Sequence, residues 1–140
     1  MGIIFHEKTK TFHLTNGEIS YIMTVLLNGH LGNLYYGKAI RDRADFSHLL
    51  ELVQRPMFQY INDDDRLFSL ESVKQELPVY GTTDYRAPMV EVLQSNGSRI
   101  SDFVYVSHEI NAGKPKLEAL PATYTEDDEE AETLIITLKD

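Results

Sequence analysis

Four side chains able to do chemistry crowd one short stretch, Leu77 to Val92, LPVYGTTDYRAPMVEV. Tyr80, Asp84, Tyr85 and Arg86 surround Gly81, and Pro78 and Pro88 bracket them. Proline fixes φ and donates nothing to a sheet ladder, so each should mark a strand edge or a turn. Gly81 permits a backbone bend that a side chain would oppose. The expected product is a rigid loop presenting two phenols, a carboxylate and a guanidinium. Such a loop either lines a polar ligand site or staples itself to its own domain, since Arg–carboxylate pairing serves both.

Other reactive residues lack the spacing that catalysis or metal binding requires. The five histidines, at 6, 13, 30, 48 and 108, form no H-E-x-x-H and no close pair, so no metal site is expected. His6 and His13 fall on expected β elements and read as structural or exposed. No serine sits in a G-x-S-x-G elbow, and no glycine-rich phosphate cradle exists. Asn62-Asp63-Asp64-Asp65 is an Asx run without the glycine and the twelfth-position glutamate of a calcium loop. Glu126 to Glu132 holds six acids in seven residues and reads as a solvated loop. No cofactor is expected.

The elements that must position these groups are mostly strands. Asn-Gly recurs at 16–17, 28–29 and 96–97. Both residues tolerate positive φ, which makes the pair a strong hairpin signal. Ile19, Tyr21, Met23, Val25 and Leu27 alternate between the first two turns, and a three-strand meander is predicted from Phe12 to Tyr36. Phe46, Leu49, Leu50 and Val53 have helical spacing, with Asp45 as a cap and Pro56 as a stop. Leu67 to Glu76 is ambiguous between strand and short helix. Met89 to Leu93 and Ile100 to Ile110 are predicted to form a second hairpin around Asn96-Gly97. Ile100 to Ile110 is apolar on both faces, which suits a strand in the middle of a sandwich. Thr133 to Leu138 is a predicted strand with Leu134, Ile136 and Leu138 on one face. An all-β antiparallel sandwich with at most short helices follows, as one unit over residues 1–140.

Composition narrows the partners. Lys and Arg number 13 against 22 Asp and Glu, a net charge of −9. An acidic chain is poorly suited to nucleic acid or to an anionic membrane. There is no cysteine, which fits a reducing compartment. Met1 to Lys8 lacks the basic-then-apolar order of a signal peptide. The expectation is a soluble, cytoplasmic protein of roughly the size that buries two thirds of its unfolded surface.

The segment Gly81-Thr82-Thr83-Asp84-Tyr85-Arg86-Ala87-Pro88 resembles G-T-[ST]-D-[FY]-R-x-P, typical of the N-terminal region of bacterial α-galactosidases of glycoside hydrolase family 36. Asn16 to Tyr21, Asn96 to Phe103, and Gly113-Lys114-Pro115 followed by Leu120 to Tyr124 agree in order and spacing. Leu77 departs, where an aromatic is usual. The resemblance implies the first part of a large β-sandwich that precedes a (β/α)8 barrel in a longer multidomain glycosidase. A retaining glycosidase uses two carboxyl groups about 5–5.5 Å apart, and in the family both are Asp on the barrel. No segment here resembles either barrel motif, so no catalytic residue is expected in this chain.

The resemblance further implies a homo-oligomer acting on galactoside oligosaccharides of the melibiose or raffinose type. One subunit's N-terminal loops then reach a neighbour's active-site mouth. The family's Arg before an F-S-L segment corresponds to Arg66 in Arg66-Leu67-Phe68-Ser69-Leu70, the first candidate for substrate binding. Its guanidinium either bonds sugar hydroxyls or pairs with Asp63, Asp64 or Asp65. The family's acidic partner from the preceding loop has no match near Gln54-Arg55. Asp84 and Arg86 are the further substrate-binding candidates. A free-standing carbohydrate-binding module, with Tyr35, Tyr36, Tyr80 and Tyr85 as an aromatic platform, is the alternative, although Trp is absent.

Overall fold

The computed structural model describes residues 2–53, 68–82, 84–115, 118–119, 121, 125 and 130–140. Two antiparallel sheets carry the fold. The first holds β1 (Gly2–His6), β2 (Thr11–Thr15), β3 (Ile19–Val25) and β4 (Leu31–Lys38), in that order. The second pairs β5 (Val104–Ala112) with β6 (Glu132–Lys139).

The meander forms as the alternation and the Asn-Gly pairs require, and it gains β1 as an edge. At the β2–β3 turn the Asn16 side-chain carbonyl accepts from the N–H groups of Glu18 and Ile19, at 3.0 and 2.7 Å, while Gly17 takes φ +87°. This is the αL conformation that a Cβ would penalise. Register then sorts the side chains by face, because paired residues share a face and neighbours alternate. Phe5, Phe12 and Met23 lie on one face, and Ile4, His13 and Ile22 on the other.

Each face is covered differently. Phe12 is fully buried under the second sheet, with Phe5, His108 and Tyr105 rings at 4.7, 4.9 and 6.3 Å. Ile3 N–H donates to the Glu132 carboxylate at 2.6 Å and ties β1 to the start of β6. The opposite face is covered by the segment after β4, whose Phe46 is buried and meets His13 edge-on at 5.5 Å. A third cluster, Leu26, Phe68, Leu70 and Val73 with Leu50 against it, closes the side of the sheet beyond β4.

Three expectations are corrected. Helical spacing over Phe46 to Val53 yields only a 3-10 turn at Ser47–Leu49. Asp45 does accept from Ser47 N–H at 2.7 Å, but Leu50 is extended, with φ −74° and ψ 117°, and joins the third cluster instead of continuing a helix. The Asn96-Gly97 turn closes, with Gln94 N–H bonding Ser98 O at 2.9 Å, yet no ladder flanks it. Met89 N–H donates to Pro78 O and Ser101 N–H to Tyr80 O, so the 78–80 backbone takes bonds that a hairpin ladder would have used. Finally, β5 pairs with the distant β6, and among the described residues no second strand pairs with it, so it is not a central strand of its sheet. The ambiguous stretch is a run of turns over 70–73, followed by a bridge from Gln75 to Gly32 that extends the β4 edge.

The predicted strand at Thr133 to Leu138 lies within β6, and the described residues are all-β apart from the 3-10 turn. No helix among them is long and apolar enough to cross a membrane.

Gly81 and Gly17 offer a matched pair of tests. A Cβ on Gly81, at φ +117°, would lie 2.6 Å from Ile100 Cγ2, whereas one on Gly17 would meet nothing within 4 Å. Gly81→Ala is expected to cost about 2–3 kcal/mol of unfolding free energy, from backbone strain plus crowding. Gly17→Ala should cost about 1 kcal/mol, from strain alone. Urea denaturation of the two variants measures both.

Candidate functional site

The 77–92 stretch folds as a staple. Gly81 and Asp84 exchange backbone bonds, Gly81 N–H to Asp84 O at 3.2 Å and Asp84 N–H to Gly81 O at 2.9 Å. That tight loop turns the Asp84 side chain inward, where it is 1% exposed. Arg86 then returns along it. Its Nε donates to Oδ1 at 2.9 Å, its Nη2 to Oδ2 at 2.8 Å, and its own N–H to Oδ1 at 3.1 Å. Gln75 Nε2 also donates to Oδ2, at 2.5 Å.

Burial alone would raise the Asp84 carboxyl, but the Arg86 bonds outweigh it and hold the group below the usual carboxylate value. The same bonds, against burial, raise Arg86 above its ordinary value. The guanidinium reaches further. Nη2 also donates to Leu70 O at 2.8 Å and Val73 O at 3.0 Å, so a single side chain closes the 70–73 turns onto the 84–86 loop. Bidentate pairing of this kind fixes geometry as well as charge. With both oxygens occupied by donors, Asp84 is unsuited to act as nucleophile or general base.

The phenols point outward. Tyr80 and Tyr85 are 41% and 69% exposed, and their rings meet at 5.8 Å and 72°. The Arg86 side chain, next in the chain after Tyr85, remains 47% exposed. The structure thus brings Asp84 and Arg86 into one ion pair and leaves aromatic and guanidinium surface facing solvent. Arg66 lies outside the described residues, as do Gln54, Arg55, the 62–65 run and Glu126 to Glu129. Phe68, Ser69 and Leu70, which follow Arg66 in the chain, are fully buried.

A second polar cluster was not anticipated. His13, buried in β2, places Nε2 at 2.9 Å from Ser20 Oγ and Nδ1 at 2.8 Å from Asp42 Oδ1. His6 Nε2 reaches the same Asp42 oxygen at 3.0 Å. The order Ser–His–Asp matches a hydrolytic triad, but Ser20 is fully buried and its oxygen accepts Ile40 N–H at 3.0 Å. Asp42 only accepts, so His13 Nδ1–H donates to it. The chain of bonds pins the segment after β4 to the sheet and offers no nucleophile to a substrate. Burial would raise the Asp42 carboxyl, but bonds from His13 and His6 lower it overall. That His6 and His13 fall on β elements was readable in the sequence, but their common face comes from the β1–β2 register. Their shared partner, some thirty residues on, was not readable there.

The comparisons with known proteins decide the family. Residues 29–140 match the model of the glycosyl hydrolase family 36 N-terminal domain. The chain belongs to glycoside hydrolase family 36. Over its full 140 residues this family 36 chain is 43% identical to α-galactosidase AgaA of Geobacillus stearothermophilus, of which it covers 19%. It is similar along its whole length to the crystal structure of α-galactosidase AgaB from the same organism, with TM-score 0.84 and 42% identity, again over 19% of that chain. A variant of AgaA crystallised with raffinose matches 94% of the chain, with TM-score 0.81 and 44% identity, over 18% of its own length. The chain thus spans about a fifth of the length of these relatives, and the family 36 N-terminal domain is its place within them.

Asp84→Asn tests the staple. It is expected to cost about 2–3 kcal/mol at pH 7, low for a broken buried pair because Arg86 keeps half its surface in water. The Asp84 value is lower folded than unfolded. Its stabilisation is therefore complete above the ordinary 3.8 and fades as pH falls further, through the folded value. The variant should accordingly lose less stability than the parent between pH 4 and acid unfolding, a range set by that ordinary value. Denaturation midpoints measured down the acid limb check this.

Proposed function

We propose that this chain is the N-terminal, non-catalytic β-sandwich domain of an α-galactosidase. That enzyme would hydrolyse terminal α-galactosyl residues from oligosaccharides of the melibiose and raffinose type, by a retaining double displacement. The observation that carries this reading is the end-to-end similarity to α-galactosidases at above 40% identity. The occupied carboxylates of Asp84 and Asp42 agree with it, because both are spent on holding loops. The nucleophile and the acid/base would be supplied by parts of the enzyme outside these 140 residues.

The domain would contribute scaffold, contacts within a homo-oligomer, and a few residues at the substrate mouth. Arg66 would bond sugar hydroxyls directly. Arg86 and Asp84 would serve substrate binding chiefly by fixing the Phe68–Val73 segment that follows Arg66, with the exposed edge of Arg86 as a secondary contact. A cysteine-free chain suits work in the reducing cytoplasm.

Purified 140-residue chain is expected to show no turnover of a chromogenic α-galactoside, and clear turnover would overturn the domain reading. In the longer enzyme, Arg66→Ala should lower kcat/KM roughly 10- to 100-fold, the worth of a charged hydrogen bond. Asp84→Asn should instead act mainly on stability.

The exposed Tyr80–Tyr85 pair favours one alternative, a sugar-binding module that works alone. Calorimetric titration of the chain with galactose and raffinose separates the two. Binding tighter than millimolar supports the module, and no heat supports the scaffold.

A further inference from the structure

His30 sits in the β3–β4 turn, where the two sheets meet. The ring is 3% exposed. Beside it Tyr105 N–H bonds Gly29 O at 2.8 Å, and a Cβ on Gly29 would lie 3.2 Å from Val104. Both ring nitrogens have partners. Nε2 lies 2.7 Å from Asp102 Oδ1, and Nδ1 lies 3.1 Å from Gln75 Oε1. What those partners are decides what the ring must be.

The Gln75 amide is oriented by Asp84. An ionised carboxylate only accepts, so the NH2 group of Gln75 must face it, as the 2.5 Å contact to Oδ2 records. The carbonyl of Gln75 is then what His30 Nδ1 meets, and Nδ1 must donate. Asp102 is a second carboxylate, so Nε2 must donate as well. A neutral imidazole has one donor, and only the imidazolium has two.

We propose that His30 is a doubly protonated connector, and that it latches the β5–β6 sheet to the Asp84–Arg86 staple in a pH-dependent way. The charges alternate along one line: Asp102, His30, then Asp84 across Gln75, then Arg86. Among the described residues these are the charged groups facing the ring, from the segment before β5, the 70–76 turns and the 84–86 loop. Asp140 lies on the far side of Asp102, accepting its N–H at 2.7 Å and tying in the end of β6.

When the pH rises and one proton leaves, two acceptors face each other at one nitrogen. The contact that yields is the one to Asp102, whose carboxylate is 55% exposed and can turn to water, whereas Gln75 is held by Asp84. The junction at Tyr105 and Gly29 then loses its brace.

Nitrogen resonances of the imidazole in the labelled 140-residue chain test the charge directly. Both His30 nitrogens are expected to carry protons at pH 7. The Tyr105 amide, corrected for its intrinsic exchange rate, should exchange roughly tenfold faster once the second proton has left. Asp102→Asn should bring that faster exchange to pH 7. An unprotonated ring nitrogen on His30 at pH 7 overturns the proposal, as does Tyr105 exchange that ignores the loss of the proton.

Discussion

A buried carboxylate that can be tolerated only if it is fully bonded governs this structure. Asp84 is carried inward by the Gly81 loop, and an unpaired charge there would cost several kcal/mol. Arg86 meets it from two residues along, on a loop short enough to make the encounter local. Because the guanidinium has donors to spare, it also captures the carbonyls of Leu70 and Val73, which irregular turns leave without a ladder. One ion pair thus settles the conformation of two loops. Through Gln75 it settles the edge of β4 as well, where Gln75 bridges Gly32 and Glu76 N–H bonds Leu31 O. The sheet's own hydrogen bonds organise residues 2–38. Between that sheet and β5, side-chain polar bonds do much of the organising among the described residues.

The division recurs on the other face. There Asp42, reached by His13 and His6, holds the segment after β4 against the sheet while Phe46 supplies the apolar burial. In both places a loop carboxylate accepts from cationic or imidazole side chains, Arg86 on the same loop in one case and His13 and His6 of β2 and β1 in the other. The described residues form one 3-10 turn and six short strands, and the loops between them need such devices to satisfy their backbone groups. The β5–β6 sheet is less finished, on both faces. Ile110, on the face that also carries His108, is 38% exposed, Ile135 on the other face is 44% exposed, and Val106 at the bulge is 53% exposed, which fits a domain spanning about a fifth of its relatives' length.

Local features were legible in the sequence, and distant pairings were not. Asn16-Gly17 and Asn28-Gly29 announce their turns because positive φ is a property of the residues themselves. Alternation announces β6, where Leu134, Ile136 and Leu138 share the more buried face. In β3 it announces the strand but not its side: Ser20, Ile22 and Thr24 are buried, while Ile19 and Leu27 of the alternating apolar series are 41% and 60% exposed, and a bulge shifts the register at Ile22 and Met23. Asn96-Gly97 has the same local signature and makes its turn, but what its arms bond to is decided by Pro78 and Tyr80, which the turn does not encode. The partner of β5 lies some twenty residues beyond its end, and no local pattern specifies it. At the candidate site, Asp84 and Arg86 were readable as a pair from their two-residue spacing. Leu70, Val73 and Gln75 were not, since two of them contribute only backbone carbonyls that no side-chain pattern reveals. The family resemblance rested on motif order, which survives such ambiguities.

Leu50 and Phe68 rest in one apolar cluster, which fixes both ends of the chain that runs between them. Closing a longer excursion between two fixed points costs only about 0.6 kcal/mol per doubling of its length. Added length between Leu50 and Phe68 is therefore cheap to close. An engineer can use that tolerance to insert a binding loop between the two anchors.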